Sequence, residues 1–207
     1  MRRAMNKIIL PPPGERGKLS LEESIMARRS VRYFTADALR IEEVSQMLWA
    51  GGGKTLEREY RLGRTAPSAG GIYPLEYYLV AGNVDEIPEG VYHYSWKNHS
   101  LLLKKGGDVR PFLARAALNQ HFISRAPASI VITAVVEKTA SRYGRRGVYR
   151  YVPMDAGHSA QNVYLQATAL ELGTVDVGAF DDSLVIKVLG VEREEPLLIL
   201  PFGKPAD

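Results

Sequence analysis

Three arginines and a serine fall within 28-RRSVR-32 of this 207-residue chain. Guanidinium forks and a hydroxyl grouped in this way can chelate a phosphate through charge-assisted hydrogen bonds. The same cations also suit the C-terminal end of a helix, where they meet the last carbonyls. A second stretch, 64-RTAPSAGGIYPLE-76, has no cysteine or histidine, yet places two prolines, two adjacent glycines, a serine and a tyrosine in one loop. Such a loop specifies its main chain rather than supplying reactive groups, because proline sets the path and glycine admits close approach. That pattern suits backbone laid against a flat bound cofactor. A third stretch, 142-RYGRRGVYRY-151, crowds arginine with tyrosine.

Other chemistries fail on spacing. Gly53-Lys54-Thr55 ends like a P-loop, but Leu48 stands where the first glycine belongs, and a helix precedes it where a strand is needed. No G-x-G-x-x-G follows a strand, and no serine occupies a G-x-S-x-G elbow. The four histidines share no ligand spacing, so no metal is expected. The absence of cysteine removes disulfide and thiolate chemistry, and a reducing cytoplasm is the expected compartment. A net charge of +4, from 27 basic and 23 acidic residues, is too small to argue for nucleic acid, though it suits an anionic ligand. Arg142, Arg145, Arg146 and Arg150 are not interleaved as a stacking platform for bases. No apolar run reaches the roughly 18–20 residues of a membrane span.

The elements that must position these residues are readable in outline. Residues 1–19, with Pro11, Pro12 and Pro13, read as an extended arm, and residues 20–207 as one domain. Ser20 and Glu23 form a capping box for a helix to about Ala27. Ile41, Val44, Met47 and Leu48 share one face of a second helix over 39–50, stopped by Gly51-Gly52-Gly53. Alternation over 75–81 predicts a strand, and 90–96 with 100–105 a hairpin. Asp108 is placed to cap a helix reaching Asn119, and 128–136 reads as a buried strand. A long helix spans 153–172, with Ala156, Gly157, Ala160 and Ala167 leaving part of it small enough for close packing against a helix or a partner subunit. A strand over 174–178, a short helix from Asp181 or Asp182 to Gly190, and a strand over 196–201 complete the chain. The expected fold class is α+β, with a mostly antiparallel or mixed sheet flanked by helices.

In order and spacing, RRSVRYF (28–34), RTAPSAGGIYPLEYYLV (64–80), GVYHY (90–94), RYGRRGVYRY (142–151), AGHSAQNVYLQATALELGTVDVGAFDD (156–182) and LLILPFGKP (197–205) resemble the FMN-dependent nitroreductase superfamily. The similarity is strongest to its SagB-type, thiazole/oxazole dehydrogenase-like branch, and runs from about Leu21 to Lys204. It implies a nitroreductase-like fold and a homodimer with FMN held between subunits. It also implies ping-pong transfer of two electrons from NAD(P)H to a small-molecule electron acceptor such as a nitro compound or quinone.

Residue by residue, the resemblance puts Arg28, Arg29, Ser30 and Arg32 at the phosphate and pyrimidine side. It sets Pro67, Ser68, Ala69 and Gly70 against the ring and ribityl chain, and Gly178, Ala179 and Phe180 beside the ring near N5 and O4. Lys204 alone is available for the phosphate role that relatives give to later basic residues. The azoline-oxidising relatives use a Lys-Tyr pair where this chain has Arg142-Tyr143, the candidate catalytic residues. Because arginine stays protonated it is a poor proton-transfer base, which weakens the azoline reading. That reading, oxidation of azoline rings in a modified peptide, remains the alternative, together with a non-catalytic flavin-binding protein.

Overall fold

The computed structural model describes residues 7–58 and 61–206; residues 1–6 of the expected arm and Asp207 lie outside the described residues. In chain order the strands are β1 (Lys7–Ile9), β2 (Lys54–Arg58), β3 (Arg61–Arg64), β4 (Leu75–Ala81), β5 (Gly90–Ser95), β6 (Ser100–Gly106), β7 (Ala128–Ala134), β8 (Gly173–Thr174) and β9 (Glu195–Gly203). The helices are α1 (Leu21–Ala27), α2 (Ile41–Gly52), α3 (Arg110–Ala116), α4 (Phe122–Arg125), α5 (Val136–Arg146), α6 (Val152–Ala169) and α7 (Asp182–Leu189).

Seven strands form one sheet in the order β1-β6-β5-β4-β7-β9-β8, and β2 pairs with β3 apart from it. Every neighbouring pair in the large sheet is antiparallel. At its centre β4 and β7 pair along their whole length, from Leu75↔Ala134 to Ala81↔Ala128. Side chains alternate between two covered faces. Tyr77, Leu79, Ile130 and Ile132 pack with α2 and α6, while Tyr78, Val80 and Val131 pack with α3 and α7. Helices on both faces explain why β4 and β7 read as nearly continuous apolar runs. The mixed-sheet option is thus resolved as antiparallel.

The local signals act as their chemistry dictates. The Ser20–Glu23 box caps α1, and Asp181 caps α7, which ends on left-handed Gly190. Ala156, Ala160 and Ala167 are spent inside the molecule, in the core shared with α2 and the sheet, while Gly157 faces open space.

Three expectations change. The strand expected over 128–136 ends at Ala134, and the stretch after it, to which the sequence reading assigns no element, is helix α5, broken at Gly144 (φ 56, ψ −147), followed by a π-helical turn over Gly147–Tyr151 that runs into α6. Only Val136 and Thr139 of α5 are buried, so the apolar periodicity that marks a helix is almost absent. The strand over 174–178 shrinks to β8 and a single bridge from Val177 to Ile199, because the Asp176 N–H is taken by the Tyr164 hydroxyl. Asp108 accepts from the Arg110 N–H, but the helix it precedes stops at Ala116, and Leu118 and Asn119 turn into positive φ.

Candidate active site

Helix α6 is the axis of the site. Near its start, buried Asp155 accepts hydrogen bonds from Ser68 Oγ at 2.5 Å and from the Ala69 N–H at 3.3 Å. Ser68 Oγ in turn accepts from the Tyr73 N–H at 2.9 Å, which folds the 67–73 loop back on itself. Burial pushes the Asp155 carboxyl above its ordinary range, against the pull of these two donors. The loop apex is Gly70 at φ 63, where a Cβ would lie 2.6 Å from Tyr143 Oη and 3.2 Å from an Arg142 guanidinium nitrogen. The positive φ favours glycine here, and a side chain would also push the Tyr143 and Arg142 tips aside. Tyr143 meets Tyr151 edge to face at 5.0 Å, and the Arg142 guanidinium lies 5.4 Å over the Tyr143 ring. The break at Gly144 and the π-helical turn hold this group at the foot of α6.

Arg64 closes the base of the same loop. It is 8% exposed, donates to the Gly52 and Leu75 carbonyls, and sits against the rings of Tyr73, Tyr77 and Trp96. One of its nitrogens is buried without a hydrogen-bond partner.

The other half of the site gathers nine residues further along α6, about 13–14 Å by helix rise. There the Tyr164 hydroxyl donates to Asp176 Oδ1 at 2.8 Å, accepts from the Asp176 N–H at 2.9 Å, and lies 3.1 Å from Ser30 Oγ. The Arg28 guanidinium covers the Tyr164 ring at 5.0 Å. Burial raises the Tyr164 phenol above its ordinary value. Residues 30–34 are pinned to the far end of the chain by bridges from Ser30 to Thr174 and from Phe34 to Pro205. A groove of about 250 Å³ opens here, walled by Arg29, Val31, Tyr164, Thr168, Thr174 and Pro205. A wider depression, about 850 Å³, runs between residues 14–24, α2 and α6 and reaches Lys204, but touches neither the 67–70 loop nor Arg142.

The expected site residues thus fall into two groups. Pro67, Ser68, Ala69 and Gly70 stand with Arg142 and Tyr143 at one end of α6; Arg28, Arg29 and Ser30 stand at the other. Within the second group the commitments differ. Arg29 spends its guanidinium on the Met26 and Arg28 carbonyls, as a helix-end cation does. Arg32 is exposed and has no hydrogen bond or ion pair among the described residues. Lys204 reaches Asp37 at 3.5 Å, an exposed pair of small worth. Gly178 and Ala179 are exposed, and no atom lies within 4 Å of where a Cβ on Gly178 would be. Phe180 is partly buried and packs against the α3–α7 core. The Ala179 carbonyl accepts from Gln120 Nε2 at 3.1 Å; an unspent guanidinium near Ser30 and the exposed N–H side of the 178–179 backbone fit the phosphate and ring of a flavin mononucleotide.

Asp155, Tyr164, Asp176 and Arg64 were not expected. A carboxylate and a phenol set among the small residues of 153–172 were the available signal, but partners distant in sequence give them their meaning. No group of three or more His, Cys, Asp or Glu able to hold a metal occurs among the described residues, and none of their helices is long and apolar enough to cross a membrane.

An antiparallel sheet covered by helices on both faces, with an arginine–serine turn and a proline–glycine loop spaced along one helix, defines an α+β protein. Its family follows from comparison: the nitroreductase family model matches residues 25–204, and the chain belongs to that family. A candidate nitroreductase of Methanocaldococcus jannaschii is 45% identical over 187 residues, spanning 90% of this chain and 92% of the relative. The solved structure of a candidate nitroreductase from Ralstonia eutropha superposes with a TM-score of 0.84 at 28% identity, covering 98% of this chain and 90% of that one. The microcin B17-processing protein McbC of Escherichia coli is 26% identical, over 70% of this chain and 55% of its own length. The relatives thus reach into the peptide-processing branch, and membership of the family points to oxidoreductase activity.

Proposed function

We propose that the chain is an FMN-dependent oxidoreductase that passes two electrons, in ping-pong fashion, from NAD(P)H to a small organic acceptor such as a nitro compound or quinone. FMN, when bound, supplies the hydride exchange. The observation that carries the reading is Arg32, two residues from Ser30 and without a partner among the described residues, with Gly178 and Ala179 exposed and only the Ala179 carbonyl engaged, by Gln120. In this reading Arg28, Ser30 and Arg32 hold the phosphate side, with Lys204 released from Asp37 to join them. Tyr164 fixes the segments on both sides of that clamp, since its hydroxyl ties Ser30 to Asp176. Pro67 to Gly70 present backbone to the ring, held by Asp155. Arg142 and Tyr143 orient the acceptor, and the Tyr143 phenol is the group placed to give it a proton.

The test is direct. Purified protein should be yellow, release FMN rather than FAD on denaturation, and bleach when NAD(P)H is added without oxygen. A colourless protein that binds no added FMN in a fluorescence titration would falsify the reading. A second reading, oxidation of azoline rings in a modified peptide, is favoured by the similarity to McbC. Against it stands Arg142, whose guanidinium is a poor base. Conversion of an azoline-bearing peptide, followed by its two-dalton mass loss, distinguishes the two.

A further inference from the structure

Between Glu137 and Asp155 the chain carries Lys138, Arg142, Arg145, Arg146 and Arg150 and no acidic residue. The four arginines are exposed, and no salt bridge is formed by any of them among the described residues. Lys138 does not belong with them, because its ammonium is bound to Glu76. The guanidiniums are arranged with rings: Arg142 over Tyr143 and Arg145 over Tyr149, at 5.4 and 5.6 Å. Tyr149 is 72% exposed. The strip adjoins the ligand loop, since Arg142 and Tyr143 meet Gly70. The break at Gly144 and the π-helical turn bend it around one corner of the molecule rather than along a straight helix face.

Uncompensated like charges repel one another, which costs the folded state some stability. Their attraction is for an anion, and the stacked rings add a flat surface. We propose that Arg145, Arg146 and Arg150, with the exposed Tyr149 ring, form a recognition rim for the anionic group of a substrate: a carboxylate, sulfonate or phosphate on a molecule that also carries a flat aromatic ring. The proposal rests on the flavin reading for what happens to that substrate, and selects within the acceptors and donors which that reading allows. Two sources share the chemistry, an acidic acceptor and the phosphates of the nicotinamide donor, and the test separates them.

The experiment compares wild type with the triple variant Arg145→Gln, Arg146→Gln, Arg150→Gln, leaving Arg142 in place. The first readout is the ratio of kcat/KM for 4-nitrobenzoate to that for nitrobenzene. The second is the ratio of flavin reduction rates by NADPH and by uncharged 1-benzyl-1,4-dihydronicotinamide. Charge steering of ligands is worth about 10-fold or more and fades with salt. The first ratio should therefore fall about 10-fold in the variant, and its decline with ionic strength should flatten. A fall in the second ratio assigns the rim to the donor's phosphates and also supports it. If neither ratio moves while neutral substrates still turn over, the rim is overturned and the flavin reading stands. Calorimetric titration of 4-nitrobenzoate needs no flavin: binding that the variant loses supports the rim even in a protein that fails to take FMN. Equal binding by both proteins overturns it. So does an oligonucleotide that displaces nitrobenzoate at equal phosphate concentration, since the strip would then be a nucleic-acid surface.

Discussion

Arg29 and Arg32 are three residues apart and chemically identical, yet their surroundings assign them different work. Arg29 satisfies two carbonyls at the end of α1, whereas the Arg32 guanidinium has no protein partner among the described residues. Arg32→Ala should weaken FMN binding about 10- to 100-fold, the worth of a charged hydrogen bond of about 1.5–3 kcal/mol. The melting temperature of the flavin-free protein should stay unchanged. Arg29→Ala should do the reverse, lowering stability with little change in affinity; fluorescence titration and calorimetry separate the pair. Tyr143→Phe tests the other end of α6. Reduction by NAD(P)H should proceed nearly as before while reoxidation slows by about 100-fold, the usual scale of general-acid help. Stopped-flow traces with both a quinone and a nitroaromatic acceptor are needed, and unchanged reoxidation with each would leave Tyr143 a loop residue. The candidate residues were legible because arginine, proline and glycine advertise backbone and anion chemistry locally. Tyr164 and Asp155 were not, since what they do depends on Ser30 and Asp176, or on Ser68, brought to them by the fold.

At the scale of elements, the segments after β1 are fastened by one histidine. The Pro11 carbonyl accepts from Ser45 Oγ at 2.6 Å and lies 2.9 Å from His99 Nε2; Tyr94 Oη lies 2.8 Å from His99 Nδ1, and the Leu10 N–H donates to the His99 carbonyl. Burial holds the His99 imidazole below its ordinary value, against the pull of the Pro11 carbonyl. A depressed histidine contributes stability that is complete above the unfolded value near 6.5 and is lost as pH falls through the folded value. Deuterium uptake at the Leu10 amide should accelerate as pH is lowered below about 6.5, after correction for intrinsic exchange. His99→Asn, which tolerates the positive φ of 44 at this position, should abolish that dependence. A flat profile in wild type would deny His99 the role. Elements with a strong period or cap, such as β4, α1 and α7, were readable from the chain. Helix α5 was not, because only two of its residues are buried and a glycine interrupts it. The hairpin of β2 and β3 escaped for a related reason, as its sequence alternates charge rather than apolarity.

For the whole molecule, exposed apolar side chains bear on assembly. Leu21, Ile25 and Met26 of α1 are 61%, 55% and 78% exposed, on a short helix that lies against α6. A homodimer that covers this face is the expected solution state, and light scattering across a dilution series measures it. Ile25→Glu with Met26→Glu should shift the mass toward the monomer. Added FMN should raise the melting temperature in proportion to the logarithm of its free concentration, since only folded protein binds it. A flavin-loaded monomer at micromolar concentration would remove the shared-site model.

The bridges from Ser30 to Thr174 and from Phe34 to Pro205 also set a schedule. A ribosome adding about 5–20 residues per second finishes the partner of Phe34 roughly ten to thirty seconds after the arginines of 28–32 have emerged. Through most of that interval the segment lacks first Tyr164 and Thr174 and then Pro205 to hold it, and a passing phosphate meets an incomplete clamp. In the flavin reading, cofactor capture waits until the chain has been made through Pro205, and a nascent chain halted before β9 should be colourless however much FMN surrounds it.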